Sequence, residues 1–162
     1  GEVPTLSDWE AHLTTIFPEV RLKKFLEMRG ADGGPWARLC ALPALFVGLL
    51  YSSSALSEAE ALVADWTAEE RQSMRDAVPV HGLNTPFRGG TIQTIAKDVL
   101  AIARRGLIDR AKQDGLGGDE TSFLTALDNI AESGQTPAEM LLHKYENDWK
   151  GDLSRLFIEE SY

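Results

Sequence analysis

Cysteine is nearly missing from this 162-residue chain: Cys40 is the only one, which excludes an intrachain disulfide and any cysteine-based zinc site. A reducing compartment is compatible with that scarcity, and the apolar neighbours Leu39, Ala41 and Leu42 predict a buried thiol. Histidine is scarce too. His12, His81 and His143 lie far apart, and none has a second ligand at i+3 or i+4, so the spacing of a histidine-based zinc site is lacking. No apolar run reaches the length of a bilayer span. The longest, Leu39 to Tyr51, contains Pro43 and Gly48 and reads as a buried helix, so no membrane partner is expected. Positive charge is in short supply, with 16 Lys and Arg against 25 Asp and Glu and a net charge of −9. That balance argues against a nucleic-acid partner, which needs a cationic surface to displace counterions. No methionine opens the chain and no signal-like segment precedes Trp9, so Gly1-Glu2-Val3-Pro4 reads as linker within a longer protein.

What is present belongs to a folded protein. The apolar fraction of 43% and charged fraction of 25% are ordinary for a globular domain, and the length suits one domain or a large part of one. Two regions differ in character. In the first, residues 1–34, His12-Leu13-Thr14-Thr15-Ile16-Phe17 is rich in β-branched and aromatic residues and is closed by Pro18, which predicts a strand. Val20 to Arg29 then alternates. Val20, Leu22, Leu26 and Met28 fall on one face and Arg21, Lys23, Phe25, Glu27 and Arg29 on the other, which predicts a second strand, with a helix as the competing reading. Gly30 to Pro35 ends either element.

The second region, residues 35–162, reads as about six or seven helices. Ser57 with Glu60, Thr67 with Glu70, and Thr136 with Glu139 have capping-box spacing, and Pro137 suits the first helical position. Gly106 and Gly134 are candidate stops. Helical spacing runs from Thr91 to Leu107, again through Phe123, Leu124, Leu127 and Ile130, and then through Met140, Leu141 and Tyr145. Gly115-Leu116-Gly117-Gly118 lacks the Lys-Ser/Thr of a P-loop, and Asp114 to Asp119 is expected to be a mobile loop. Trp9, Trp36, Trp66 and Trp149 are expected to anchor packing. The predicted class is α+β: short antiparallel strands, then a mostly helical subdomain.

The pattern that carries chemistry is the polar face of Val20 to Arg29. Arg21, Lys23 and Arg29 beside Glu27 place three cations and one carboxylate on one side of a strand. Such a set suits a polyanion carrying a metal, with the carboxylate for the hard cation and the guanidinium forks for phosphoryl oxygens. The same face also fits the solvated side of a half-buried sheet. Glu-x-Arg by itself does not choose, because it recurs at Glu19-Val20-Arg21, Glu27-Met28-Arg29 and Glu69-Glu70-Arg71.

A longer string does choose. Asp8-Trp9-Glu10-Ala11-His12-Leu13-Thr14-Thr15-Ile16-Phe17-Pro18-Glu19-Val20-Arg21-Leu22-Lys23 resembles the glutamate–cysteine ligases of plants and many bacteria. The likeness continues through Leu26-Glu27-Met28-Arg29-Gly30-Ala31-Asp32-Gly33-Gly34-Pro35-Trp36 and Leu39-Cys40-Ala41-Leu42-Pro43. It recurs at Ala64-Asp65-Trp66-Thr67, Thr85-Pro86-Phe87-Arg88 and Thr136-Pro137-Ala138-Glu139. The resemblance implies a catalytic sheet like that of glutamine synthetases and an ATP-dependent ligation of glutamate to cysteine through γ-glutamyl phosphate. It implies Glu27 as a Mg²⁺ ligand and Arg29 and Arg21 as catalytic cations. It also implies His12, Thr14, Thr15 and Lys23 as substrate- or nucleotide-lining residues. It further implies a partner in the N-terminal part of the same enzyme, which supplies the remaining ligands, and a bacterial, cytoplasmic setting. A related ligase with another amine acceptor, or a non-catalytic helical interaction or regulatory module, is the alternative.

Overall fold

The computed structural model describes residues 3–113, 115 and 117–160. Asp114 and Leu116, within the expected mobile loop, and Gly1 and Glu2, within the expected linker, lie outside the described residues. The chain divides into two compact units, Gly1–Gly33 and Gly34–Tyr162.

The first unit opens with helix α1, Leu6–Leu13, where a strand was expected to begin at His12. The reason is local. Thr5 and Asp8 form a reciprocal capping box, with Asp8 Oδ2 accepting from the Thr5 N–H at 2.7 Å and Thr5 Oγ1 accepting from the Asp8 N–H at 3.3 Å. The β-branched residues Thr14, Thr15 and Ile16 fall just past the helix end. Pro18 then restricts Phe17 to extended backbone without a strand partner. The alternating segment is two strands, not one: β1, Val20–Leu22, and β2, Leu26–Met28, pair antiparallel across a turn at Lys23, Lys24 and Phe25. In the register Val20 faces Met28, Leu22 faces Leu26, and Arg21 faces Glu27. Odd positions pair with odd ones, so the fold-back keeps the apolar residues on one face and the charged residues on the other.

The second unit is helical, and the described residues form a mostly helical α+β structure with two short antiparallel strand pairs. Its helices are α2 (Trp36–Leu50), α3 (Ser53–Val63), α4 (Ala68–His81), α5 (Ile92–Arg110), α6 (Thr125–Ser133), α7 (Pro137–His143) and α8 (Ser154–Glu159). A two-residue-per-strand hairpin, β3 (Pro86–Phe87) with β4 (Gly90–Thr91), precedes α5. The core gathers Ala44, Leu100, Ala103, Leu107, Leu124 and Ala131, drawn from α2, α5, α6 and the 3₁₀ turn Glu120–Leu124. α2 is buried on one stripe only, at Ala41, Ala44 and Gly48, while Trp36 and Leu39 stay exposed.

The α2–α5 crossing is closer than any side chain allows. A Cβ on Gly106 would fall inside the contact shell of the Gly48 carbonyl oxygen, and one on Gly48 inside that of the Ala103 oxygen. Gly106, expected as a stop, is therefore mid-helix, and α5 runs on to a left-handed cap at Ala111. Ser57, expected as an N-cap, is inside α3, whose cap is Ser52. Ser52 and Ser54 also donate to Asp109 Oδ2 at 2.9 and 2.6 Å, tying the start of α3 to the end of α5. The capping boxes at Thr67 with Glu70 and at Thr136 with Glu139 form as the spacing predicts, with Pro137 in the first turn of α7 and Gly134 (φ +69°) capping α6. Of the four tryptophans expected to anchor packing, Trp149 is buried and Trp66 packs edge-on to Phe87 at 4.7 Å, whereas Trp9 and Trp36 are exposed.

Candidate functional site

The hairpin register decides the site. Cross-strand pairing sets Arg21 opposite Glu27, and the period of two brings Lys23 and Arg29 to the same face. Arg21 Nε donates to Glu27 Oε2 at 2.9 Å, Lys23 Nζ lies 3.4 Å from the same oxygen, and Arg29 Nε lies 3.9 Å from Oε1. The hydrogen bond from Arg21 holds the Glu27 carboxyl below the usual carboxylate range. The charges of Arg21 and Lys23 add to this, and partial burial opposes it. One carboxylate among three cations leaves a local surplus of positive charge on a chain whose net charge is −9.

That surplus borders a recess of about 320 Å³ lined by Leu13, Thr14, Phe17, Arg21, Lys23 and Arg29. A second recess, about 290 Å³, is lined by Phe17, Pro18, Glu19, Arg29 and Gly30. The Arg29 N–H donates to the Glu19 carbonyl at 2.8 Å, and the guanidinium lies over the Phe17 ring at 5.0 Å. Arg29 Nη1 is shut off from solvent and has no hydrogen-bond partner. A buried, unpaired donor of this kind is costly unless an acceptor arrives.

Of the residues singled out from sequence, Arg21, Lys23, Glu27, Arg29 and Thr14 are brought together. His12 and Thr15 are not. The His12 ring sits against Trp9 at 5.8 Å, and the Thr15 hydroxyl donates to the His12 carbonyl at 2.7 Å at the end of α1. The Thr14 hydroxyl also donates to backbone, to Ala11 O at 2.7 Å.

Within the hairpin, residues 20–28, Glu27 is the one carboxylate that could meet a metal. Glu27 Oε2 is taken by Arg21 and Lys23, while Oε1 has only the long contact to Arg29 and is free to meet a hard cation. Among the described residues no group of three His, Cys, Asp or Glu side chains could hold a metal ion, so Glu27 fits as one member of a larger ligand set. The donors fit a metal–polyphosphate complex better than a bare cation, since three of the four charges are positive.

Sequence reading missed a second cluster. Arg88 donates to both Glu70 oxygens at 2.8 and 2.7 Å and to the Asp65 carbonyl at 2.7 Å, and pairs with Asp65 Oδ1 at 2.6 Å. The Arg88 hydrogen bonds, with one from the Thr67 N–H, pull the Glu70 carboxyl down to about 2. The two motifs Asp65-Trp66-Thr67 and Thr85-Pro86-Phe87-Arg88, remote in sequence, thus meet as one structural clasp. Arg71, in the third Glu-x-Arg, is exposed on α4. Cys40 is half-buried rather than sealed in, and lines two shallow recesses beside Phe123.

The sequence profile of Glutamate-cysteine ligase family 2 (GCS2) matches residues 1–159. The chain belongs to this family. It is 53% identical over all 162 residues to glutamate–cysteine ligase, chloroplastic, of Arabidopsis thaliana, covering 30% of that protein. It is 52% identical over its whole length to glutamate–cysteine ligase A, chloroplastic, of Oryza sativa subsp. indica, covering 32% of it. The match to the Brassica juncea glutamate–cysteine ligase, chloroplastic, is 52% over the whole chain and 30% of the relative. The chain therefore spans about a third of the length of the curated relatives it matches. These names correct the expected bacterial, cytoplasmic setting, because each relative is named chloroplastic.

Proposed function

We propose that this chain forms part of a glutamate–cysteine ligase, which joins the side-chain carboxylate of glutamate to the amine of cysteine at the expense of ATP, the first step of glutathione synthesis. Family membership over residues 1–159 supports the activity, and the cationic recess supports the place of this segment in it. The observation that carries the reading is the cluster of Arg21, Lys23 and Arg29 around Glu27, with the buried Arg29 Nη1 lacking an acceptor.

Positioned positive charge is the main thing a phosphoryl-transfer site needs. A carboxylate oxygen of glutamate attacks the γ-phosphorus, the bond to ADP breaks, and γ-glutamyl phosphate results. The amine nitrogen of cysteine then attacks the acyl carbon, phosphate leaves, and the nitrogen gives up a proton. In this scheme Arg29 turns its unpartnered N–H toward the oxygens of the moving phosphoryl group. Arg21 and Lys23 hold the flanking phosphates, and Thr14 borders the same space. Glu27 would supply one Mg²⁺ ligand, and the ion when bound would neutralise charge on the phosphate chain. The residues that complete the ligand set come from the rest of the enzyme.

The experiment uses the full-length enzyme carrying this chain. Arg29→Ala is expected to lower kcat by roughly 10²–10⁴-fold, the cost of losing an electrostatic group that acts in the transition state. Glu27→Gln is expected to raise the Mg²⁺ concentration needed for half-maximal rate. Arg71→Ala, on the α4 surface, is the control and should stay near wild type. Near-normal turnover of an Arg29→Ala enzyme with an unchanged melting temperature would remove this face from the chemistry.

A further inference from the structure

Phe17 is the oddest residue of the first unit. It is 73% exposed, so it anchors no core, yet its ring lines both recesses and lies under the Arg29 guanidinium at 5.0 Å. Pro18 holds its backbone extended, and the bond from the Arg29 N–H to Glu19 O, at 2.8 Å, keeps the two residues side by side. The neighbouring cations are held differently. Arg21 spends its Nε on Glu27, and Lys23 pairs with the same oxygen. Arg29 makes only a 3.9 Å contact to Glu27, and its Nη1 has no partner.

An aromatic face attracts a guanidinium through its quadrupole and uses none of its N–H donors. A carboxylate in the same place would orient the group equally well but would occupy the donors a ligand needs. We propose that Phe17 is the positioning residue for Arg29: its ring holds the guanidinium in line while leaving the N–H groups free for the phosphoryl oxygens. The inference rests on the role proposed for Arg29. Phe17 itself touches no reacting atom in this scheme.

The test is a double-mutant cycle in the full-length enzyme, with steady-state kinetics and calorimetric binding of a non-hydrolysable ATP analogue. Phe17→Leu is expected to lower kcat by roughly 3- to 30-fold, the rate equivalent of a lost cation–π contact. KM and analogue affinity should stay within about twofold of wild type, because the contact serves a group that acts on the moving phosphoryl. Phe17→Trp, which keeps an aromatic face, should restore most of kcat. In the Arg29→Ala background Phe17→Leu should cost nothing further, whereas a general packing role would be additive. Full kcat in Phe17→Leu beside a crippled Arg29→Ala would overturn the inference and leave the functional reading intact. So would additive losses in the double variant, or a parallel loss of analogue affinity. Normal turnover in Arg29→Ala would instead overturn the reading on which the inference depends.

Discussion

Gly106→Ala sets two physical effects against each other, and the structure decides the sign. Judged as a helix position alone, the change should stabilise α5 by about 1 kcal/mol, the usual gain of alanine over glycine. The α2–α5 crossing opposes it. The new Cβ would meet the Gly48 carbonyl oxygen inside its contact shell, the Gly48 carbonyl carbon at 2.8 Å and the Ala55 Cβ at 2.9 Å. Carbon–carbon contacts settle at about 3.5–4.0 Å and the oxygen contact is tighter still, so the helices must part by more than about 1 Å. Neither obstacle can rotate away, since one is backbone and the other the first atom of a side chain. Overpacking typically costs about 1–3 kcal/mol, and rigid neighbours put this case at the upper end. The net loss is about 2 kcal/mol, which for a chain of this size lowers the melting temperature by roughly 4–8 °C. Urea and thermal melts of the 162-residue chain would measure it. Ala101→Gly, on the exposed side of α5, isolates propensity and should cost about 1 kcal/mol. A Gly106→Ala chain melting at or above wild type would refute the close-crossing account.

Two further outcomes concern the helical unit. Glu70 has its carboxyl pulled from the usual 4.5 to about 2 by Arg88 and Thr67, so its contribution is complete above the unfolded value and fades as pH falls from about 5 toward 2. Melting curves of wild type and Glu70→Gln should therefore differ most near neutral pH and converge in acid; a gap that widens on acidification would contradict the Arg88 clasp. Thr136→Ala removes the oxygen that accepts from the Glu139 N–H at 3.3 Å and should cost about 1 kcal/mol in urea unfolding, while an unchanged midpoint would count against the cap.

The candidate site was only partly legible. Alternation from Val20 to Arg29 put Arg21, Lys23, Glu27 and Arg29 on one face, and they do share it. The turn inside that run was invisible, because Lys23-Lys24-Phe25 carries none of the Gly, Asn or Pro chemistry that marks a hairpin. His12 to Phe17 misled through its β-branched residues, when the deciding signal was Thr5 and Asp8, three residues apart and ahead of the segment. His12 and Thr15 then sit at the helix end and do not line the recess. Phe17 and Arg29 gave no sign of their contact, since a ring and a guanidinium twelve positions apart obey no local period.

By itself the sequence determined what is written within a turn or two of helix or one pleat of strand. Thr67 with Glu70, Pro137 after Thr136 and Gly134 past α6 rest on partners no more than four residues away, and the two faces of the Val20–Arg29 run rest on its alternation. Tertiary structure alone decided whether Gly106 would end a helix or let two helices touch. It also decided that Asp109 would bind Ser52 and Ser54, and that Arg88 would close on Asp65 and Glu70. Those pairings join residues 18 to 58 positions apart, as at Glu70 with Arg88 and Gly48 with Gly106. Glycine offers the same backbone freedom to a stop and to a crossing, and arginine the same charge to solvent and to a clasp. Which use is made depends on what the rest of the fold brings alongside, and no local pattern carries that information.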